Sequence, residues 1–253
     1  MKDLSITTIQ SDLYWEDKEQ NLKMFEKHIE SVQENTDLII LPEMFNTGFS
    51  MQAETLAETM DGEAVNWMKK MCEQKNAVIT GSIIIEEDGK YYNRLIWAEP
   101  NAEIKYYNKR HLFGLGDEHN HYTPGEDKLI VDYLGWKINL NICYDLRFPV
   151  WLRNDKNNPY DVLIFVANWP DKRIEHWDAL LKARAIENQC YVIGVNRVGN
   201  DGNGVTHIGN TSVIHPFGNI LYTSSEIERN TILLSKHELI LNRRQFPFLR
   251  DAD

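Results

Sequence analysis

Positive charge is scarce in this chain, with 27 Lys and Arg against 38 Asp and Glu, a formal net charge of −11. That excludes the basic footprint by which proteins hold nucleic acid or an anionic membrane surface, and leaves a small molecule or another protein as the expected partner. Cysteine is scarcer still: Cys72, Cys143 and Cys190 are odd in number and widely spaced, so they make neither a disulfide framework nor a paired zinc-ligand pattern. Each has to be judged alone. Glycine (14) and proline (8) are too few for a collagen-like or low-complexity chain. No apolar run approaches the ~18 residues of a membrane span, and the opening Met1-Lys2-Asp3-Leu4-Ser5-Ile6 carries no apolar signal core. What is present is 42% hydrophobic residues in 253, enough for a full core, so a globular cytoplasmic protein is expected.

The periodicities give an order of elements. Leu4, Ile6 and Thr8 alternate as in a half-buried strand, and Leu22, Phe25, Ile29 and Val32 follow at helical spacing. Asp37 to Leu41 reads as a strand buried on both faces and stopped by Pro42, with Glu43 directly after it. Asp61 is placed as the N-cap of a helix carrying Ala64, Val65, Met68 and Met71. Strands are expected at about 77–85 and 91–98, turning at Pro100-Asn101 into 103–107, then at 129–133 and 136–143, and from Asp161 to Ala167. A helix at about 174–189 precedes a strand from Tyr191 to Val198, weaker strands fall near 211–215, 219–223 and 230–234, and an arginine-containing tail ends the chain. No linker, repeat or composition break appears, so one domain over 1–253 is expected, built as helices outside two packed sheets.

Three strand ends carry polar residues where the apolar run stops: Glu43, Cys143 and Asn168-Trp169. Ligands in layered α/β proteins gather beyond the carboxyl ends of strands, so these positions can converge. Cys143 follows Ile138 to Ile142 and precedes a polar tripeptide, as a nucleophile elbow does, where the next backbone amide can bind an oxyanion. From position alone, a small buried hydrophobe is the better reading, and for Cys72 and Cys190 much the better. A thiol needs a base or a cation to attack near neutral pH. Glu43, close to the core, is the strongest candidate base, and Lys109 is either a solvated charge or a compact cation able to hold an oxyanion. His111, His119 and His121 cluster nearby, but without a regular ligand framework they are expected to be solvated loop histidines, and no metal is expected. Arg184 shares the stripe of Trp177, Leu180, Leu181 and Asn188, so it is expected to be buried and ion-paired.

With these residues in place, the chain resembles the nitrilase superfamily of carbon–nitrogen hydrolases. The likeness runs through Leu41-Pro42-Glu43, Lys109 to Phe113, Asn141 to Pro149, Asn168-Trp169-Pro170 and Arg184 to Gln189, in the family's order. The segment Pro42 to Met51 and the block Glu118-His119 to His121-Tyr122 resemble the bacterial omega-amidase branch. Gly114-Leu115-Gly116 departs from the family, many of whose members have an aspartate after the Leu-Phe pair.

The resemblance implies an α/β fold, a four-layer αββα sandwich that is usually dimeric and needs no cofactor. It implies Glu43 as general base and acid, Lys109 as oxyanion stabiliser with the Tyr144 amide, Cys143 as nucleophile, and Glu118 orienting Lys109 and the substrate. The branch implies hydrolysis of 2-oxoglutaramate, and of 2-oxosuccinamate, to the 2-oxo acid and ammonia. Phe49, Tyr122 and Trp169 are expected to wall a small aromatic pocket beside Asn168, and Arg147 and Arg173 to neutralise a substrate carboxylate, unless Arg147 pairs with Asp145. Three other readings compete: a nitrile or N-carbamoyl specificity at the same residues, an inactive interaction scaffold, and a glutaminase subunit serving a separate synthetase. The Phe246-Pro247-Phe248 tail points to docking on a second subunit.

Overall fold

The computed structural model describes residues 2–101 and 103–252. The first half holds β1 (Leu4–Gln10), α1 (Lys18–Glu30), β2 (Leu38–Ile40), α2 (Ala53–Leu56), α3 (Glu63–Lys75), β3 (Val78–Glu87), β4 (Lys90–Ala98), β5 (Ile104–Asn108) and α4 (Glu118–His121). The second holds β6 (Leu129–Tyr133), β7 (Trp136–Ile142), α5 (Pro149–Leu152), β8 (Val162–Val166), α6 (Ile174–Asn188) and β9 (Tyr191–Val195). It continues with β10 (Val198–Asn200), β11 (Thr206–Ile208), β12 (Thr211–Ile214), β13 (Ile220–Ser224), β14 (Glu228–Leu234) and α7 (Lys236–Gln245).

Two six-stranded sheets form, in the orders β14-β1-β2-β3-β4-β5 and β13-β12-β9-β8-β7-β6. Alternation along β2 and β3 explains the layering. Leu38, Ile40 and Val78 join the core that reaches into the second sheet, whereas Ile39 and Ile79 meet Phe25 and Ile29 of α1 and Met68 and Met71 of α3. On the far side, α6 packs on β9 and β12, with Trp177 and Leu181 against Gly194 of β9. The result is the αββα sandwich.

Register sets where the site forms. The strands β7, β8 and β9 run parallel, with Ile142 opposite Val166 and Val166 opposite Val195, so the chain leaves β7 and β8 side by side at Cys143 and Ala167. Parallel pairing of β1, β2 and β3 makes the first sheet deliver Leu41 to Glu43 at the carboxyl end of β2.

Four expectations need correction. β1 is an interior strand, paired with both β14 and β2, and is buried on both faces rather than half-buried. Asp61 does not cap α3: the cap position is Gly62, and the half-buried Glu58 carboxylate takes the Ala64 N–H at 2.7 Å. A Cβ at position 62 would lie 2.3 Å from Glu58 Oε2, so glycine is required for that approach. The strand from Tyr191 stops at Val195, because Asn196 turns its amide onto the carbonyls of Trp169 and Gly209. Finally, the tail contains the helix α7, capped by Ser235 and tied down by Arg243 and Lys236 on Asp161.

Candidate active site

Glu43, Lys109 and Cys143 come from three strand ends and meet on the wall of one cavity of ≈ 570 Å³. The Lys109 Nζ donates to Glu43 Oε1 at 2.8 Å and to both oxygens of Glu118 at 3.0 Å. All three side chains are almost wholly buried. Burial works against the Lys109 charge, but Glu118 and then Glu43 overcome it and hold the ammonium above its ordinary pKa. Glu118 itself is pushed up by burial, against the pull of Lys109.

Cys143 opens a 3-10 turn running to Arg147, with φ of 41°. This left-handed backbone is rare for a residue with a Cβ and costs on the order of 1–3 kcal/mol. The turn is held from below by Arg184, buried as expected, whose guanidinium donates to the Leu146 carbonyl at 2.7 and 3.1 Å and to Glu187 at 2.9 Å. Burial, and next the Glu43 charge, push the Cys143 thiol well above the ordinary thiol range, with Lys109 pulling the other way. A protonated thiol beside a carboxylate is the arrangement in which base and nucleophile act together. The Tyr144 N–H lies in the first turn of the 3-10 segment, where backbone donors lack an intrahelical acceptor and can face an oxyanion.

The remaining predicted residues separate. Phe49 lines the cavity, with Lys109 Nζ 5.1 Å from its ring centroid, and Trp169 and Asn168 line it as well. Asn168 is also a support for Glu43: its N–H donates to Glu43 Oε2 at 2.8 Å and its side-chain amide to the Glu43 carbonyl at 2.6 Å. Arg147 and Arg173 both reach the cavity, Arg147 4.7 Å over the Trp169 ring and Arg173 5.2 Å over Phe113. Asp145 is not the partner of Arg147, since its oxygens are taken by Tyr107, His111 and the Ile142 N–H. Burial and the Arg147 charge together lower the Arg173 pKa.

Three expectations fail here. Tyr122 is not on the cavity wall; it is packed with Met44, Ala53 and Ile84, and its hydroxyl donates to the Ser50 carbonyl. Glu118 lies behind Lys109, outside the cavity lining, so it can orient the lysine but does not reach the cavity. His111 is no solvated loop residue, because it binds Asp145 at 2.8 Å and stacks on Phe148 at 3.8 Å. Among the described residues no group of three or more His, Cys, Asp or Glu is arranged to hold a metal ion.

Sequence reasoning missed Asn93. Its side-chain amide donates to Glu43 at 2.8 Å and Glu118 at 3.2 Å, and its carbonyl accepts the Lys109 N–H at 2.9 Å. The available signal was an asparagine inside a strand whose neighbours are buried, since a buried amide needs partners.

The model of the carbon–nitrogen hydrolase family matches residues 5–236. Omega-amidase YafV of Escherichia coli strain K12 is 45% identical over 100% of this chain and 98% of its own. The 2-oxoglutaramate amidase of Bacillus subtilis strain 168 is 34% identical over 86% of this chain and 85% of its own. The structure of XC1258 from Xanthomonas campestris, a CN-hydrolase superfamily protein with an arsenic adduct in its active site, superposes with a TM-score of 0.98. It is 41% identical, covering 100% of this chain and 98% of that one. The chain therefore belongs to the carbon–nitrogen hydrolase family, the nitrilase superfamily.

Proposed function

We propose that this protein is an omega-amidase, a single domain over residues 1–253 that hydrolyses the ω-amide of short 2-oxo acid amides, 2-oxoglutaramate and 2-oxosuccinamate, through a cysteine thioester. The observation that carries the reading is the Lys109 ammonium fixed 2.8 Å from Glu43 at the wall that bears Cys143. The names of its relatives, omega-amidase at 45% identity and 2-oxoglutaramate amidase at 34%, support the substrate class.

The Cys143 sulfur attacks the amide carbon while its proton passes to Glu43. Lys109 and the Tyr144 N–H hold the oxyanion. Glu43 returns the proton to the leaving nitrogen as the C–N bond breaks, and ammonia departs. Water then attacks the thioester, giving its proton to Glu43, which passes it to the departing sulfur; the 2-oxo acid leaves. Arg147 and Arg173 receive the distal carboxylate, a role supported by two neighbouring guanidiniums on the cavity wall of a chain with net charge −11. Phe49 and Trp169 close around the carbon chain.

The protein works as a cytoplasmic homodimer in this reading. Three free cysteines suit a reducing compartment. Phe217, Phe246 and Phe248 form an aromatic cluster with centroid spacings of 5.3 and 5.8 Å, and Phe217 and Phe248 are 54% and 61% exposed, which suits a self-complementary interface. Neither nucleic acid nor a membrane is a partner in this reading.

The substrate assignment is tested by comparing 2-oxoglutaramate with glutamine. Replacing the 2-oxo group by an ammonium strands a charge in a site without its counter-ion, so kcat/KM should favour 2-oxoglutaramate by at least ~100-fold, about 2.7 kcal/mol. Equal efficiency, or preference for a nitrile or N-carbamoyl compound, would overturn the substrate class and leave the Cys143 chemistry in place.

A further inference from the structure

We infer that Asp145 is a positioning residue for the reaction, holding the lysine segment and the cysteine turn in one register through Tyr107 and His111. The inference rests on the reading of Cys143 and Lys109 as reacting groups. Asp145 is fully buried inside the turn that Cys143 opens. Its Oδ2 accepts from the Ile142 N–H at 3.0 Å, immediately before the nucleophile, and from the Tyr107 hydroxyl at 2.8 Å. Its Oδ1 accepts from the His111 N–H at 3.0 Å and the His111 Nδ1 at 2.8 Å.

Tyr107 and His111 stand two residues to either side of Lys109. The Tyr107 oxygen also accepts the Arg110 N–H at 3.0 Å, so the backbone is pinned at 107, 110 and 111 around the lysine. His111 is further clamped by its stack on Phe148 at the end of the same turn. One carboxylate thus takes four hydrogens, one from the strand end that delivers Cys143 and three from the segment that delivers Lys109. None of Asp145, Tyr107 or His111 lines the cavity, so they act only through the residues they place. The left-handed backbone at Cys143 persists only where its surroundings over-determine it, and Asp145 supplies that constraint at Ile142. A misplacement of ~1 Å between reacting groups costs about 100-fold in rate, which sets the expected effect.

The test uses the full chain with Asp145→Asn, Tyr107→Phe and His111→Phe, the last keeping the ring on Phe148, and measures kcat, KM and Tm. The expected result is a fall in kcat of ~100-fold or more for Asp145→Asn and ~10-fold for the other two, with KM within about twofold of the parent. Should Asp145→Asn fail to fold, the two single-donor variants decide. A fall in kcat smaller than ~10-fold in every folded variant, or a loss carried by KM alone, overturns the positioning role even where Tm drops. The parent enzyme, run alongside, separates the two ideas. If it forms no thioester on Cys143, the reaction reading fails; if it acylates normally while the variants keep full kcat, only the positioning role fails.

Discussion

Lys109 is 1% exposed, a burial that lysine tolerates only with partners, and here it has two carboxylates. The division of labour follows from their contacts. Glu43 reaches the cavity and can exchange a proton there; Glu118 does not, and holds the lysine charged from behind. Glu118→Gln should expose that role. Burial, which works against the ammonium, would then be opposed chiefly by Glu43, so the Lys109 pKa falls. The alkaline limb of the kcat profile should move to lower pH. An alkaline limb that stays in place would remove Glu118 from the electrostatics of the site. The Asn93 side-chain amide spans Glu43 and Glu118, so it sets their separation without touching the cavity.

At the scale of elements, the hairpin of β10 and β11 forms a wall of the cavity and carries a buried histidine. His207 is 4% exposed, and burial followed by the charge of Arg197 lowers its pKa from 6.5 to about 4. The unfolded chain binds this proton first as pH falls. The folded state is therefore unaffected above about pH 6.5 and loses stability between there and pH 4. At pH 4.5 the loss comes to about 2–3 kcal/mol. Urea unfolding of the parent and of His207→Gln at pH 7 and 4.5 should show the variant losing that much less, and identical losses would contradict a neutral buried imidazole. The sequence hid this hairpin because its strands span only three residues each around a Gly- and Asn-rich tip. It hid α7 for a different reason: that helix is held by Arg243 and Lys236 on Asp161, contacts made across 75 or more residues and invisible to local periodicity. The runs Leu38 to Leu41 and Val162 to Val166 were legible because each is an unbroken apolar stretch, and Ile138 to Ile142 because Ile138, Leu140 and Ile142 alternate with Asn139 and Asn141 up to the strand's end. Glu43 and Cys143 sit at such ends, so the site's main groups could be read from pattern. Tyr122 was misplaced because proximity to Glu118 in sequence does not fix which way a ring turns.

The whole molecule adds the question of assembly. The exposed Phe217 and Phe248 lie on either side of Phe246, and a symmetric dimer would cover them. Light scattering at micromolar concentration should give twice the 29.6 kDa chain mass, with Phe248→Asp shifting it toward the monomer. A fully active monomeric parent would contradict the dimer. That Cys143 carries the acyl group between the loss of ammonia and the attack of water can be read from the mass of the intact protein, acid-quenched during turnover of 2-oxoglutaramate. The expected result is a species heavier by the substrate less ammonia, with the addition mapping to the peptide that contains Cys143, and neither adduct nor ammonia release from a folded Cys143→Ala variant. Turnover without that adduct, sustained in Cys143→Ala, would contradict it.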